Sequence, residues 1–386
     1  MTLFVGIDVS KYKHDLAILD EHGEILSKHF RFANTYQGFQ KLKEHLETLE
    51  LPTSELRIAL EDTGHYADNL IAFLQNIGYP TFTYNPLIIK EFVKSLTLRK
   101  SKTDKKDALS IARKLLADPT PERYTVEPQL QELKELTRYQ NRLIHERSKN
   151  KTLYVRTLDI VFPEFAKIVK NVHNQFVYDL LSKYPSPQKI KRAHFQSLLT
   201  IKRLTADKIK QIQEAAHLTI GNSSLALQLE LTQLIDMIRI QTIQINKVQE
   251  QINHLMTEID SPITSITGIG QRLGAIILAE IKNIHNFKTP SQLQAFAGLE
   301  PSIYQSGTMD ITGHMVKRGS SYLRYALIQA AKLIANYSPH FRAYLRLKIS
   351  QGKHYNVAVS HVAKKLIRIV YYLLKTNQSF DESKLR

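Results

Sequence analysis

Apolar and polar residues alternate in short blocks over residues 1–120 of the chain. Short apolar runs bounded by turn-forming residues, such as His22-Gly23, are typical of buried strands. Blocks with apolar residues three or four apart, as between Gly38 and Leu46, are typical of helices. The predicted strands are 3–8, 15–19, 25–32, 56–61 and 81–84. The predicted helices are 38–46, 65–77, a basic stretch that reaches Lys94, and 104–116.

The order of these elements indicates the fold class of the N-terminal part. Three strands that can pair as consecutive hairpins are followed by helices and strands in alternation. This is the order of an α/β ribonuclease H-like (RuvC-like) domain, and it predicts a mixed five-stranded sheet flanked by helices. We expect the domain to span residues 1–118, because Pro119, Pro121 and Pro128 mark a linker after it.

Residues 125–260 have helical periodicity and form the second predicted domain. One long amphipathic helix is expected over 130–161 and another over 224–259, with a smaller helical insert at 162–223 between them. The seam of the second long helix consists of Leu227, Leu231, Leu234, Ile238, Gln241, Ile245, Val248, Ile252, Leu255 and Ile259. Steps of four and three residues are typical of a coiled coil, although one face of an ordinary helical bundle has the same pattern. The two helices could pair antiparallel in one chain or between chains.

The third predicted domain, residues 261–386, is expected to be mainly α-helical. It begins with a glycine-containing turn from Ile263 to Gly270, followed by a predicted helix over 273–281. This arrangement resembles a helix-hairpin-helix element, whose backbone N–H groups can receive a phosphate. A plain turn between two helices would have the same pattern.

The charge of the chain is concentrated toward its C-terminal end. Among 386 residues the formal net charge is +17, and the balance is zero over 1–120, +5 over 121–260 and +12 over 261–386. Such a distribution predicts a surface that binds the phosphate backbone of nucleic acid. The chain has no cysteine, which excludes disulfides and thiolate zinc sites. With no apolar run of transmembrane length and no signal peptide, we expect a cytoplasmic protein without a membrane partner.

Four acidic residues are the strongest candidates for catalysis. Asp8 and Glu61 each follow an apolar run, and Asp104 and Asp107 are three residues apart at the start of a predicted helix. Carboxylates in this order could hold Mg²⁺, a hard cation that takes oxygen ligands and supports phosphodiester chemistry. Each residue alone could equally be a turn or helix cap.

A basic cluster surrounds the second acidic pair. It consists of Lys94, Arg99, Lys100, Lys102, Lys105 and Lys106. Because these side chains flank the predicted metal site, we interpret the cluster as a nucleic-acid track. A solvated basic face is the alternative.

The motifs at both ends of the chain resemble those of one enzyme family. Gly6-Ile7-Asp8-Val9-Ser10-Lys11, Glu61 and Asp104-x-x-Asp107 resemble the DEDD insertion-sequence transposases with a RuvC-like N-terminal domain. The C-terminal motifs that resemble the same family are Phe296-Ala297-Gly298-Leu299-Glu300-Pro301, Gln305-Ser306-Gly307, Gly313, Lys317, Gly319, Leu323-Arg324 and Ala330-Ala331. The resemblance covers both ends, whereas the middle matches only in being helical.

This resemblance implies a site-specific DNA recombinase in which Ser306 is the nucleophile beside a Mg²⁺ site. Its partners would be donor and target DNA and, in some members, a structured guide RNA. The family acts as homodimers and homotetramers, and the serine of one subunit completes the metal site of another. Lys317, Arg318 and Arg324 could neutralise phosphate charge or bind the backbone more generally.

Two other readings of the residues remain open at this stage. The first is a metal-dependent nuclease of the Holliday-junction type, in which an activated water replaces Ser306. The second is a nucleic-acid-binding scaffold whose carboxylates no longer bind metal. The nuclease needs the four carboxylates but not the serine, and Mg²⁺-dependent cleavage would argue against the scaffold.

Overall fold

A computed structural model describes residues 1–61, 65–96, 104–118, 127–306 and 309–385 of the chain. Some side chains within these ranges are also outside the description, among them those of Asp104, Lys105 and Ser306. The chain divides into two compact units, Met1–Val126 and Glu127–Arg386. The division falls in the predicted proline-containing linker.

The first unit contains a five-stranded sheet of mixed direction. Its strands are β1 (Leu3–Val9), β2 (Lys13–Leu19), β3 (Ile25–Ala33), β4 (Leu56–Glu61) and β5 (Thr81–Tyr84), and its helices are α1 (Tyr36–Glu47), α2 (Asp68–Asn76), α3 (Pro86–Leu96) and α4 (Asp104–Ala117). The strand order is β3-β2-β1-β4-β5, with β1 antiparallel to β2 and parallel to β4. The predicted mixed sheet is therefore confirmed, and each strand begins or ends within about two residues of its predicted bounds.

Both faces of this sheet are covered, because its strands are apolar on both sides. On one face Val5, Ile7 and Ile58 pack in a core that includes side chains of α1 and α2. On the other face Phe4 and Ala59 pack with side chains of α3 and α4. The alternation of side chains along a strand thus assigns Asp8 and Glu61 to the face that α4 covers.

The second unit is mostly helical. Its helices are α5 (Pro128–Val161), α6 (Phe165–Ile168), α7 (Gln175–Lys183), α8 (Pro187–Arg192), α9 (Phe195–Leu199), α10 (Ala206–Leu218), α11 (Leu225–Ile259), α12 (Gln271–Ile281), α13 (Pro290–Phe296), α14 (Ser321–Tyr337), α15 (Pro339–Ser350) and α16 (Tyr355–Thr376). Its strands are β6 (Pro301–Ser306) and β7 (Met309–Met315). The long helices α5 and α11 lie within two residues of their predicted bounds. The two strands were not predicted.

The long helices α5 and α11 pair antiparallel within the chain. Gln140 donates to Gln249 at 2.9 Å, whereas Thr157, further along α5, donates to Glu230 at 3.0 Å. Between these points Asn150 donates to the Oε1 atom of Gln241 at 3.1 Å, so the one polar residue of the predicted seam has a partner. Most of the remaining seam side chains are buried.

The two ends of this helix pair belong to different hydrophobic cores. Tyr154 and Ile235 pack with the insert formed by α6–α10. Leu133 and Ile252 pack with α12, α14 and α16. The pair therefore joins the insert to the C-terminal helices, and burial of large apolar side chains at each end, worth roughly 1.5–3 kcal/mol apiece, stabilises the connection.

Candidate functional site

Asp8 and Glu61 stand at the carboxyl ends of neighbouring parallel strands. The strands β1 and β4 pair in register as far as Ile7 opposite Leu60, and Asp8 and Glu61 are the next residue on each. Both side chains are on the face of the sheet that α4 covers, and both are partly buried. The structure therefore brings these two predicted carboxylates side by side.

Helix α4 approaches this face very closely because Gly6 has no side chain. A Cβ atom at Gly6 would lie 2.2 Å from the carbonyl oxygen of Ala108 and 2.4 Å from the backbone nitrogen of Ala112. Any larger residue would push α4 away from the sheet. Gly6 thus sets how closely α4 packs on β1. The contact is made at Ala108, one residue after Asp107.

The direction of α4 places its first turn toward Asp8. Leu116, near the end of α4, lies 3.5 Å from the Cβ position of Gly23, in the connection between β2 and β3. That connection is at the Phe4 end of β1, because Phe4 pairs with Leu19. The opposite end of α4, where Asp104 and Asp107 are located, is consequently toward the Asp8 end of β1. The side chain of Asp104 is outside the described residues.

Asp15 is an additional carboxylate that sequence reasoning missed. It lies directly opposite Asp8 in the antiparallel register of β1 and β2, and it is almost fully buried. Arg31 donates from Nε to Asp15 Oδ1 at 3.0 Å, and His29 contacts the same oxygen. The available signal was a charged residue within the apolar run of β2. Asp15 is therefore paired with the guanidinium group of Arg31 at the edge of the candidate site.

The donor set suits a hard divalent cation, because it consists of carboxylate oxygens. Among the side chains that the structure describes, no three His, Cys, Asp or Glu residues lie close enough together to hold a metal ion. The described carboxylates therefore form a strand-end pair, with Asp107 on the helix above the same face. The fourth predicted ligand of the metal site is the Asp104 side chain, which is outside the described residues.

Ser306 is the last residue of β6, at the far end of a two-stranded hairpin. Its backbone lies opposite Met309 of β7, and Gly307 and Thr308 between them are outside the described residues. No strands were predicted in this part of the chain. The two strands extend Ser306 away from the point where the hairpin leaves the helical core.

The base of this hairpin is held by backbone contacts. Val316 donates to the carbonyl of Glu300 at 2.8 Å, and Ser320 donates to the carbonyl of Phe296 at 2.8 Å. Gly319 has a φ of +94°, and a Cβ atom there would lie 2.1 Å from the carbonyl oxygen of Phe296. This position therefore requires glycine, both for its backbone conformation and for space.

An ion pair with a buried carboxylate stabilises the same base of the hairpin. Glu280 of α12 accepts two hydrogen bonds from Arg138 of α5, at 2.8 and 3.1 Å, and one from the hydroxyl of Ser320 at 2.7 Å. Burial raises the pKa of Glu280, but the bonds from Arg138 and Ser320 outweigh it, so that the pKa is lowered overall. Since Ser320 also caps α14 through the backbone nitrogen of Leu323, this carboxylate joins three helices where β7 meets α14.

The predicted basic residues have different surroundings. Lys94 is exposed and bonded to Glu91 at 2.7 Å, and Lys106 is exposed on the first turn of α4. Lys317 and Arg318 are exposed at the base of the hairpin, where Lys317 has a φ of +32°. Arg324 donates to the carbonyl of Ala297 at 3.2 Å and so helps to hold that base. Arg99, Lys100 and Lys102 lie outside the described residues, as does the side chain of Lys105.

Comparison with protein families matches the two ends of the chain separately. A model of DEDD transposases of the IS110 type, described as a transposase, matches residues 5–163. A second model, described as "Transposase IS116/IS110/IS902 family", matches residues 260–346. The two models name one family, occur in order and together cover well over half of the chain. The chain belongs to the IS110 family of transposases.

Relatives of this transposase align over almost its whole length. The "Pilin gene-inverting protein" of Moraxella bovis is 24% identical over 383 residues, covering 98% of each chain. The "Insertion element IS110 uncharacterized 43.6 kDa protein" of Streptomyces coelicolor is 24% identical, covering 99% of this chain and 96% of that one. The "Transposase for insertion sequence element IS1111A" of Coxiella burnetii is 22% identical, covering 97% and 90%.

The family assignment makes the chain an enzyme that acts on DNA. Residues 5–163 include the four predicted carboxylates, and residues 260–346 include Ser306 and the predicted basic residues of the C-terminal part. Within the described part of the chain, no helix is both long and apolar enough to cross a membrane.

Proposed function

We propose that this transposase is a site-specific DNA recombinase that cuts and rejoins strands through Ser306 beside a Mg²⁺ site. The observation that carries the proposal is the placement of Asp8 and Glu61 side by side, with the first turn of α4 toward the same end of the sheet. Asp8, Glu61, Asp104 and Asp107 would hold the metal ions. When bound, such ions polarise the phosphate and stabilise charge on the attacking and leaving oxygens.

The proposed covalent step exchanges one phosphoester bond for another. The Oγ atom of Ser306 forms a bond to phosphorus while the bond between phosphorus and one deoxyribose oxygen breaks. The serine hydroxyl loses its proton, and the departing sugar oxygen gains one to become a hydroxyl. Because the serine ester keeps the free energy of the phosphodiester, the reverse step rejoins strands without ATP.

The position of Ser306 suits this role. A nucleophile at the end of a hairpin can reach into a site that its own strands do not form. Lys317 and Arg318, exposed at the hairpin base, would bind phosphates of the same DNA. The family relative named for inverting a pilin gene supports recombination, because inversion of a gene requires cutting and rejoining of DNA.

The test is to quench the reaction with denaturant and look for a protein–DNA adduct by gel shift and mass spectrometry. The parent enzyme should carry DNA on Ser306, and Ser306→Ala should bind DNA normally but form no adduct. Ser302→Ala, on the same strand, is the matched control and should form it. Efficient cleavage by Ser306→Ala with free 5′-phosphate and 3′-hydroxyl ends would instead favour the metal-dependent nuclease.

We further propose that a structured guide RNA pairs with donor and target DNA. The basic excess of residues 261–386 supports a large phosphate-binding surface. Sequencing of the nucleic acid that co-purifies with the protein tests this directly. Recovery of one defined RNA supports guidance, and recovery of only random fragments contradicts it.

The proposed assembly is a homodimer or homotetramer, in which one subunit supplies the serine to another. On α11, Met237, Ile240 and Ile243 are each at least half exposed. Such side chains could pair two copies through this helix. Light scattering at micromolar concentration with nucleic acid should report a dimer or larger, and a strict monomer in every condition would refute the assembly.

A further inference from the structure

A cationic cavity lies between α15 and α16 in the C-terminal part of the chain. It has a volume of about 430 Å³, and its lining includes His361, Lys364, Lys365 and Arg368. Pockets that hold small organic groups commonly have roughly 300–1,000 Å³. Most of these residues lie beyond residue 346, where the second family match ends.

The spacing of the basic residues shows that one face of α16 lines the cavity. His361, Lys364, Lys365 and Arg368 follow the i, i+3, i+4, i+7 pattern that normally marks an apolar face. Three of these four side chains are half-buried, and Arg368 is exposed. A helix face that points a row of cations into a cavity suggests an anionic occupant.

Aromatic and apolar groups complete the lining. Tyr344, Ile369 and Leu385 line the cavity together with the cations. The ammonium groups of Lys365 and Lys348 lie 5.2 and 5.4 Å from the centre of the Tyr344 ring. The lining thus combines cations with a tyrosine ring and aliphatic side chains, which suits a nucleotide with its phosphate and apolar base face.

The pKa values of the basic lining residues also indicate an anionic occupant. Burial lowers the pKa of Lys364 and of Lys365, and the charge of Arg368 lowers that of Lys365 further. Burial and the surrounding lysines lower the pKa of His361. Glu300 opposes this trend at Lys364, but none of the lining residues is acidic. A bound phosphate would offset the mutual repulsion of these cations.

We propose that this cavity binds one unpaired nucleotide of a nucleic-acid strand, with its phosphate against Lys364, Lys365 and Arg368 and its base against Tyr344. The inference extends the proposed function to a specific site for the polynucleotide, at residues distinct from the carboxylates and Ser306. An unpaired nucleotide fits better than a duplex, since a paired base cannot leave its stack without cost.

The test compares two variants that each remove three positive charges. Lys364→Ala/Lys365→Ala/Arg368→Ala changes the cavity, and Lys189→Ala/Lys191→Ala/Arg192→Ala changes exposed cations of α8. Binding of labelled single-stranded RNA and DNA of one sequence is measured by anisotropy from 50 to 300 mM salt. We expect the cavity variant to lose about tenfold or more in affinity and to show a shallower salt slope, by about two. The α8 variant should stay within about threefold.

Further arms separate the possible occupants. Tyr344→Leu should weaken binding of the single strand by about tenfold, because base stacking is lost. Arg368→Ala, which changes only an exposed side chain, should show part of the effect if the triple variant unfolds. Equal losses in the cavity and α8 variants, unchanged binding by the cavity variant, or equal binding of duplex would overturn the proposal. So would tighter binding of a free mononucleotide than of a strand.

The RNA and DNA arms show which polynucleotide the site accepts. The proposed recombinase mechanism can fail independently of this site, because Ser306→Ala should leave binding in these assays unchanged. Loss of the serine adduct together with retained binding would therefore contradict only the catalytic proposal. Retained adduct formation with unchanged binding by the cavity variant would contradict only the nucleotide site.

Discussion

The candidate carboxylates and the candidate serine stand on two different kinds of structure. Asp8 is the next-to-last residue of β1 and Glu61 the last of β4, and strand register and alternation fix the position and direction of each side chain. Ser306 ends the first strand of a two-stranded hairpin, and the contacts described for its anchor lie at its base. Isolated two-stranded hairpins are marginally stable, so this element depends on its anchor.

This difference suggests a division of labour between the two regions. A metal site needs ligands held within a narrow range of positions, and a buried sheet provides them. A nucleophile that attacks DNA needs an exposed position, and the end of a hairpin provides one. At the hairpin base, the polar contacts of Glu280 with Arg138 and Ser320 add to a hydrophobic core that includes Leu299 and Leu323.

The largest expected effect is on catalysis by the sheet region. Asp8→Asn should reduce strand cleavage by roughly 10³-fold or more, because metal-assisted stabilisation of the transition state is worth several kcal/mol. DNA binding should remain, since the proposed phosphate contacts are made by lysine and arginine side chains rather than by Asp8. Single-turnover cleavage with Asp207→Asn, an exposed residue of α10, as control measures the difference. Normal recombination by Asp8→Asn would show that the carboxylate pair is not the catalytic site.

The second effect tests the rigidity of the sheet region. Gly6→Val should lower the free energy of unfolding of the first unit by about 3 kcal/mol or more, because the new side chain overlaps the backbone of α4. Hydrogen exchange should show opening of β1 and α4, while α14 in the second unit stays protected. Gly270→Ala is the matched control, because a Cβ atom there meets nothing within 4 Å. A variant as stable as the parent would contradict the close approach of α4.

The third effect tests the anchor of the hairpin. Glu280→Ala should destabilise the second unit by roughly 2–3 kcal/mol, below the 3–5 kcal/mol typical of broken buried pairs because the Arg138 side chain is 37% exposed. A double-mutant cycle with Arg138→Ala measures the pair, and positive coupling near 1 kcal/mol or more is expected. Hydrogen exchange should rise mainly in β6, β7 and the first turn of α14. Additive effects of the two substitutions would mean that the pair does not anchor the hairpin.

The smallest effect concerns acid sensitivity of the sheet. His14 of β2 is buried against Phe32, with ring centres 5.1 Å apart, and burial lowers its pKa despite Asn34 and Asp15. The unfolded chain then binds a proton more readily than the folded one, so stability falls as the pH decreases below about 6.5. The decrease should not exceed about 1.4 kcal/mol per pH unit for this residue. Urea unfolding at pH 7.5 and 5.5 should show a smaller difference for His14→Leu than for the parent.

The prediction from sequence was most successful where information was local. The strands of the first unit begin and end close to their predicted bounds, because apolar runs and turn residues lie next to each other in the chain. The long helices follow for the same reason, since heptad spacing is a local pattern. The hairpin of β6 and β7 was missed because pairing of two short strands depends on residues outside each of them.

Contacts between residues that are far apart in the chain could not be predicted from local patterns. Asp15 lies opposite Asp8 only because β1 and β2 pair in one particular register, and a shift of one residue would turn Asp15 to the other face. Arg138 and Glu280 are 142 residues apart in the chain. The seam of α11 predicted a partner helix but could not identify it, because a partner in the same chain and one in another chain bury the same side chains.

The sequence by itself determined the order of the elements in the first unit, the two long helices, the strand ends that carry Asp8 and Glu61, and the resemblance to a transposase family. Only the tertiary structure decided that α4 meets β1 at Gly6, that α5 and α11 pair within the chain, and that three cations of α16 line a cavity with Tyr344. The physical reason is that propensity and periodicity act over a few residues. Close packing instead selects among distant partners that have similar local patterns.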